Sequence, residues 1–128
     1  MGQNSKTVSA FIDAFRQADL DRIMDFFEED AVYHNIPLEP AQGTEAIRAV
    51  LQGFIAMASE TDWVVHRIAE DADGAVMTER TDRFLIGEKW VEIPVMGIFE
   101  LRGGKLCAWR DYFDLGQFQE QFAKAAGG

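Results

Sequence analysis

The segment AVMTERTDRFLIGEKWVEIPVMGIFELRGGKLCAWRDYF, residues 75–113, decides the fold. It holds three strand-like runs, Ala75 to Ile86, Lys89 to Leu101 and Leu106 to Phe113, with Gly103-Gly104 supplying a hairpin turn before the last. A fourth run, Trp63 to Ala69, precedes them across Asp73-Gly74. Four runs joined by short turns predict an antiparallel meander. In the last run the two-residue period of a strand puts Cys107, Trp109, Asp111 and Phe113 on one face. A carboxylate then stands among three apolar side chains. Leaving water unpaired is so costly that it must take up a proton or find a cation and hydrogen bonds, and such an expense marks Asp111 as a functional candidate.

The run from Ala75 offers a partner. Alternation groups Val76, Thr78, Arg80, Asp82 and Phe84 on one face, apolar at the ends and charged in the middle. The other face, Ala75, Met77, Glu79, Thr81, Arg83 and Leu85, is equally mixed, so periodicity leaves both orientations open. A further strand-like segment, Ala31 to Ile36, sets Tyr33 and Asn35 side by side before Pro37 disfavours more ladder pairing.

Upstream, the helical period dominates. Val8, Phe11, Ile12 and Phe15 form one stripe, and Leu20, Ile23, Phe26 and Phe27 form a second that Asp19 can cap. Gly43-Thr44 opens a third helix lined by Ile47, Val50, Leu51, Phe54 and Ala58, and Asp114 caps a last one carrying Leu115, Phe118 and Phe122. Helices gathered first and strands last predict an α+β layer fold, a curved mixed or antiparallel sheet wrapped around helices and enclosing an apolar pocket. The long strand is apolar on both faces, with Trp90, Met96 and Ile98 against Val91, Ile93, Val95 and Phe99. One set fills the core and the other covers the pocket or a subunit contact, so a homodimer is expected.

The bulk numbers exclude several classes. At 128 residues the chain is expected to be a single domain, residues 1–128, with a short N-terminal arm and a C-terminal Gly tail. Twelve basic against 22 acidic residues give a formal charge of −10, which opposes nucleic acid and anionic membrane surfaces. No run is long enough to span a bilayer and the start has no apolar stretch of signal-peptide length, so a cytoplasmic protein is expected. Cys107, the one cysteine, reads as a small core residue and not as a nucleophile. His34 and His66 have no visible companions and make no metal site.

Tyr33 with Asn35, Arg80 with Asp82, and Asp111 within Trp109-Arg110-Asp111-Tyr112-Phe113-Asp114 together resemble the limonene-1,2-epoxide hydrolase family. That family lies in the cone-shaped NTF2-like and SnoaL-like superfamily. The resemblance runs from the first helix to Phe118. Endings like that around Asp111 recur in superfamily members of other activity, so the weight rests on the Arg80-Thr81-Asp82 and Tyr33-His34-Asn35 segments being present as well. The resemblance implies that Arg80 and Asp82 face inward. It implies further that Asp111 is the general base for a water held by Tyr33 and Asn35, that Asp82 is the general acid, and that Arg80 lies between the two carboxylates. The implied reaction adds water to a small, largely apolar epoxide in one step to give a vicinal diol. Ring strain makes the substrate an electrophile that needs only protonation and a placed water, so no metal or organic cofactor is implied. Met57, Leu85, Trp90, Ile93, Met96, Ile98, Phe113 and Phe118 are the expected pocket walls.

Other readings compete. Arg80 and Asp82 could form an ordinary surface pair, Asp111 could be an anchor satisfied by backbone N–H groups, and Tyr33 and Asn35 could lie on a solvated edge. At the level of function the alternatives are an isomerase or cyclase of the ketosteroid isomerase-like or polyketide cyclase-like type, and a non-catalytic NTF2-like binding module. Those enzymes do not need an arginine between two aspartates. A binding module has little reason to keep polar groups on inward positions of three strands.

Overall fold

Parity along the strands fixes which side chains meet inside. The computed structural model describes residues 2–127; Met1 and Gly128, the ends of the expected arm and tail, lie outside the described residues. The elements run α1 (Gln3–Arg16), α2 (Leu20–Met24), β1 (Phe27–Asn35), β2 (Ala41–Gln42), α3 (Thr44–Met57), β3 (Glu60–Glu70), β4 (Val76–Ile86), β5 (Lys89–Arg102), β6 (Lys105–Tyr112) and α4 (Leu115–Ala125). The strands form one sheet in the order β2-β1-β6-β5-β4-β3. β3 to β6 make the expected antiparallel meander, whereas β1 joins β6 in parallel. The result is the expected α+β architecture, with a curved sheet closed on one face by helices.

The helices follow their stripes. Val8, Phe11, Ile12 and Phe15 of α1 are buried, and Phe11 meets Trp109 edge to face at 5.1 Å between ring centroids. Asp19 and Asp114 cap α2 and α4 by accepting from the backbone N–H of Arg22 and Gln117. Gly43 precedes α3 at φ +86°, a left-handed conformation that glycine adopts without strain. No helix among the described residues is long and apolar enough to cross a membrane.

The structure departs from the expected elements in several places. Phe27 belongs to β1 and not to the second helix, because α2 stops at Met24. The expected N-terminal arm is helix from Gln3 onward. Val50 is exposed on α3, and Ala58 lies beyond its end with extended backbone. β2, only Ala41–Gln42, pairs with Val32 and Tyr33 and was absent from the sequence reading. Finally, Cys107 does not share a face with Trp109. The register of β5 with β6 jumps from Glu100–Ala108 to Leu101–Leu106, which leaves Cys107 as the extra residue of a bulge. Leu106 takes the inward place, and the half-buried thiol donates to the Glu100 carbonyl.

Candidate active site

The parallel pairing of β1 with β6 sets Tyr33 beside Trp109 and Asn35 beside Asp111. Across β5, Gly97 pairs with both Asp111 and Thr78, so Asn35, Asp111, Gly97 and Thr78 form one cross-strand row. Arg80 and Asp82 follow on the same inward face of β4, between Val76 and Phe84. The orientation that periodicity left open is therefore the one with both charges inside.

Arg80 is 1 % exposed and has no solvent to satisfy it. Its Nε and Nη2 donate to the two oxygens of Asp82, each at 2.9 Å. Nη2 also donates to Asp111 Oδ2 at 2.7 Å, and Nη1 to Asp111 Oδ1 at 3.2 Å and to Thr78 Oγ1 at 3.0 Å. One planar fork thus grips two carboxylates, a geometry an ammonium cannot copy. The rings of Trp63 and Phe99 lie 5.1 Å and 5.9 Å from the guanidinium carbon. Burial opposes the charge, but Asp111 and Asp82 outweigh it and hold the guanidinium above its ordinary value.

The two carboxylates are not equivalent. Asp111 Oδ1 accepts a further hydrogen bond from Trp109 Nε1 at 2.8 Å. Among the described residues Asp82 has only Arg80 as a hydrogen-bond donor, and burial, despite the Arg80 charge, raises its carboxyl from 3.8 to about 6. Tyr33 stacks on Trp109 at 4.0 Å and donates through its hydroxyl to Asn35 Oδ1 at 3.0 Å. Burial, then the nearby Asp111 charge, pushes that phenol well above its ordinary value, so it stays a neutral O–H donor.

These groups open onto one cavity lined by Tyr33, Asn35, Asp82 and Asp111 at one end and by Phe54, Trp63, Phe84, Ile93, Val95, Phe113 and Phe118 elsewhere. Its volume is about 20 Å³, and one water needs roughly 10–15 Å³. A sequence model of the limonene-1,2-epoxide hydrolase catalytic domain matches residues 2–124.

The chain belongs to the limonene-1,2-epoxide hydrolase family.

It is 35% identical over 111 residues to the epoxide hydrolase EphG of Mycobacterium tuberculosis, covering 84% of this chain and 71% of that protein. The structure of an LEH-like epoxide hydrolase from M. tuberculosis superposes with a TM-score of 0.81 at 30% identity, over 96% of this chain and 91% of that one. The epoxide hydrolase/cyclase-like enzyme SalBIII, at 18% identity, a TM-score of 0.81 and coverage of 89% and 92%, shares the fold.

Of the expected walls, the structure brings Ile93, Phe113 and Phe118 to the cavity. The other five do not reach it. On β5 the inward set is Val91, Ile93, Val95, Gly97 and Phe99, so Trp90, Met96 and Ile98 have the opposite parity. Trp90 and Met96 are 37% and 52% exposed, and Met57 at the end of α3 is 43% exposed. Met96 and Ile98 stand with Met77, Arg110 and Tyr112 on the outer face, and Leu85 pairs with Trp90 away from the cavity. Trp90 covers the Arg83 guanidinium at 4.1 Å. The sequence reading missed Phe54, Trp63, Phe84 and Val95 as walls, and Thr78, Gly97 and the Trp109 indole as supports of the charged row. Alternation already grouped Thr78 and Phe84 with Arg80, and Trp109 with Asp111, but nothing local marked Gly97. Among the described residues no cluster of three or more His, Cys, Asp or Glu side chains is arranged to hold a metal. His34 Nε2 is hydrogen-bonded to the Leu38 carbonyl and His66 Nε2 to Thr81 Oγ1.

Proposed function

We propose that this protein hydrolyses a small, largely apolar epoxide in one step, by general acid and base catalysis, to a vicinal diol. The observation that carries the reading is the Arg80 bridge, one buried cation gripped by two buried carboxylates at the polar end of an apolar cavity. Such a pair keeps one proton between its members. Asp111, with Trp109 as an added donor, is the better-stabilised carboxylate, so the proton resides on Asp82.

In this reading Tyr33 and Asn35 hold a water against Asp111. Asp111 takes its proton as the water oxygen bonds to a ring carbon, and the breaking C–O bond leaves its electron pair on the ring oxygen, which Asp82 protonates. Return of the proton from Asp111 to Asp82 restores the pair. No residue lining the cavity is a histidine, so the histidine that would activate water against an ester on aspartate has no counterpart at this site. Isomerases and cyclases of this fold need no arginine between two aspartates, which favours hydrolysis.

A single turnover in heavy-oxygen water, with enzyme in excess over a small cyclic epoxide, tests the reaction. The diol carries the solvent label at once. Unlabelled diol in that turnover, with the label later found in Asp111 or Asp82, would refute the one-step reading. We propose in addition that the outer face bearing Met77, Met96, Ile98 and Tyr112 joins two copies into a homodimer; a light-scattering mass of one chain at micromolar concentration would oppose this.

A further inference from the structure

Arg80 and Asp111 are on strands that do not touch. β5 runs between β4 and β6, so residues facing each other across it are two strand spacings apart, about 9.5 Å. The residue of β4 directly across from Asp111 is Thr78, and the Arg80 side chain reaches Asp111 diagonally, passing over Gly97 between them. Its inward neighbours along β5 are Val95 and Phe99, both buried and both bulky. A Cβ at Gly97 would lie 2.5 Å from Asp111 Oδ1, 3.2 Å from Thr78 Oγ1 and against Arg80 Nη1. None of these can withdraw freely. Arg80 Nη1 is engaged by Thr78 and Asp111, and Asp111 Oδ1 by Trp109.

The backbone does not ask for glycine here. Gly97 is absent from the left-handed positions, which include Gly87 and Gly103, so its conformation suits any residue. Glycine inside a strand weakens it and marks a close approach of other groups. We propose that Gly97 is a positioning residue for the hydrolysis: its missing side chain is the space through which Arg80 crosses β5 and holds Asp111. This inference rests on the acid and base reading above.

The charged and titratable groups facing Asp111 are Arg80 and Asp82 from β4 and Tyr33 from β1. β5 presents only Ile93, Val95 and Gly97 there, and β3, α3 and α4 contribute Trp63, Phe54 and Phe118. If a methyl group parts Asp111 from Arg80, no other cation among these groups takes its place.

Gly97→Ala is therefore the test, with kcat and KM followed separately. The expected result is a loss of about 100-fold in kcat, the scale of an ångström-level misplacement, with KM little changed. A wild-type kcat would overturn the inference while leaving the hydrolase reading intact. Absence of epoxide hydrolysis in the wild type would overturn that reading instead. Stability supplies a readout independent of activity. The cost of Gly97→Ala in urea unfolding should be distinctly smaller in an Asp111→Ala background, where the methyl still meets Arg80 and Thr78 but no Asp111 carboxylate; a single variant that fails to fold while the double variant folds gives the same result. An equal cost in both backgrounds would show that the space serves something other than Asp111.

Discussion

Replacing Asp82 with asparagine removes a buried carboxyl whose proton affinity the fold raises. Burial raises this group from 3.8 to about 6, so the folded protein binds the proton more tightly than the unfolded chain does. The stabilisation this gives is fully present below the unfolded value and is lost as pH rises through the folded one. The difference of about two units corresponds to roughly 3 kcal/mol. Asp82→Asn has no such proton to lose. The amide imposes its own cost, because one of its ends presents a donor to the Arg80 fork, but that cost does not vary with pH. Asp62, which Arg16 holds below the ordinary carboxylate range, titrates alike in both proteins and cancels. Urea unfolding of the two at a series of pH values reads the difference. Between about pH 4 and about pH 8 the balance should move in favour of the variant by roughly 3 kcal/mol. A gap that stays constant would mean that Asp82 holds no proton more tightly in the fold, and its role as the acid would fall with it. The same variant is expected to be nearly inactive at every pH.

Because the acid must be protonated, kcat/KM of the wild type should fall as pH rises through about 6; a profile flat up to about pH 8 would contradict this. Arg80→Lys should lose about 100-fold or more in kcat/KM, since an ammonium cannot replace the fork that positions both carboxylates, and near-normal activity would show that the bridge is dispensable. Tyr33→Phe and Asn35→Ala should each cost about tenfold, the equivalent of one net hydrogen bond, and the double change distinctly more. Equal losses in the single and double variants, measured as kcat, would mean that the two groups act as one unit.

The meander and the helical stripes were legible because each rests on local periodicity. The start of β1 was not, since Glu28, Glu29 and Asp30 break the apolar alternation where the strand makes its own register shift against β6. The facing of Arg80 and Asp82 was undecidable from β4 alone, both faces being mixed, and only the resemblance chose correctly. β5 misled for the opposite reason. Both its faces are apolar, so the outward Trp90, Met96 and Ile98 looked as suitable for the pocket as Ile93. Gly97 escaped notice because its significance lies in what crosses above it, a relation among three strands that no single segment records.

The pairing of β1 with β6 also has a temporal meaning. Tyr33 and Asn35 are made near the beginning of the chain and Asp111 near its end, yet they stand side by side. Contacts so distant along the chain are slow to form, because the closure entropy must be met before any of them stabilises the fold. The β4 to β6 hairpins carry Arg80 and both its carboxylates, whereas Tyr33 and Asn35 come from β1. During synthesis their meeting with Asp111 waits until β6 has left the ribosome and docked on a strand made long before. Later, a local opening that peels β1 from β6 would part Tyr33 and Asn35 from Asp111 while the meander stays folded.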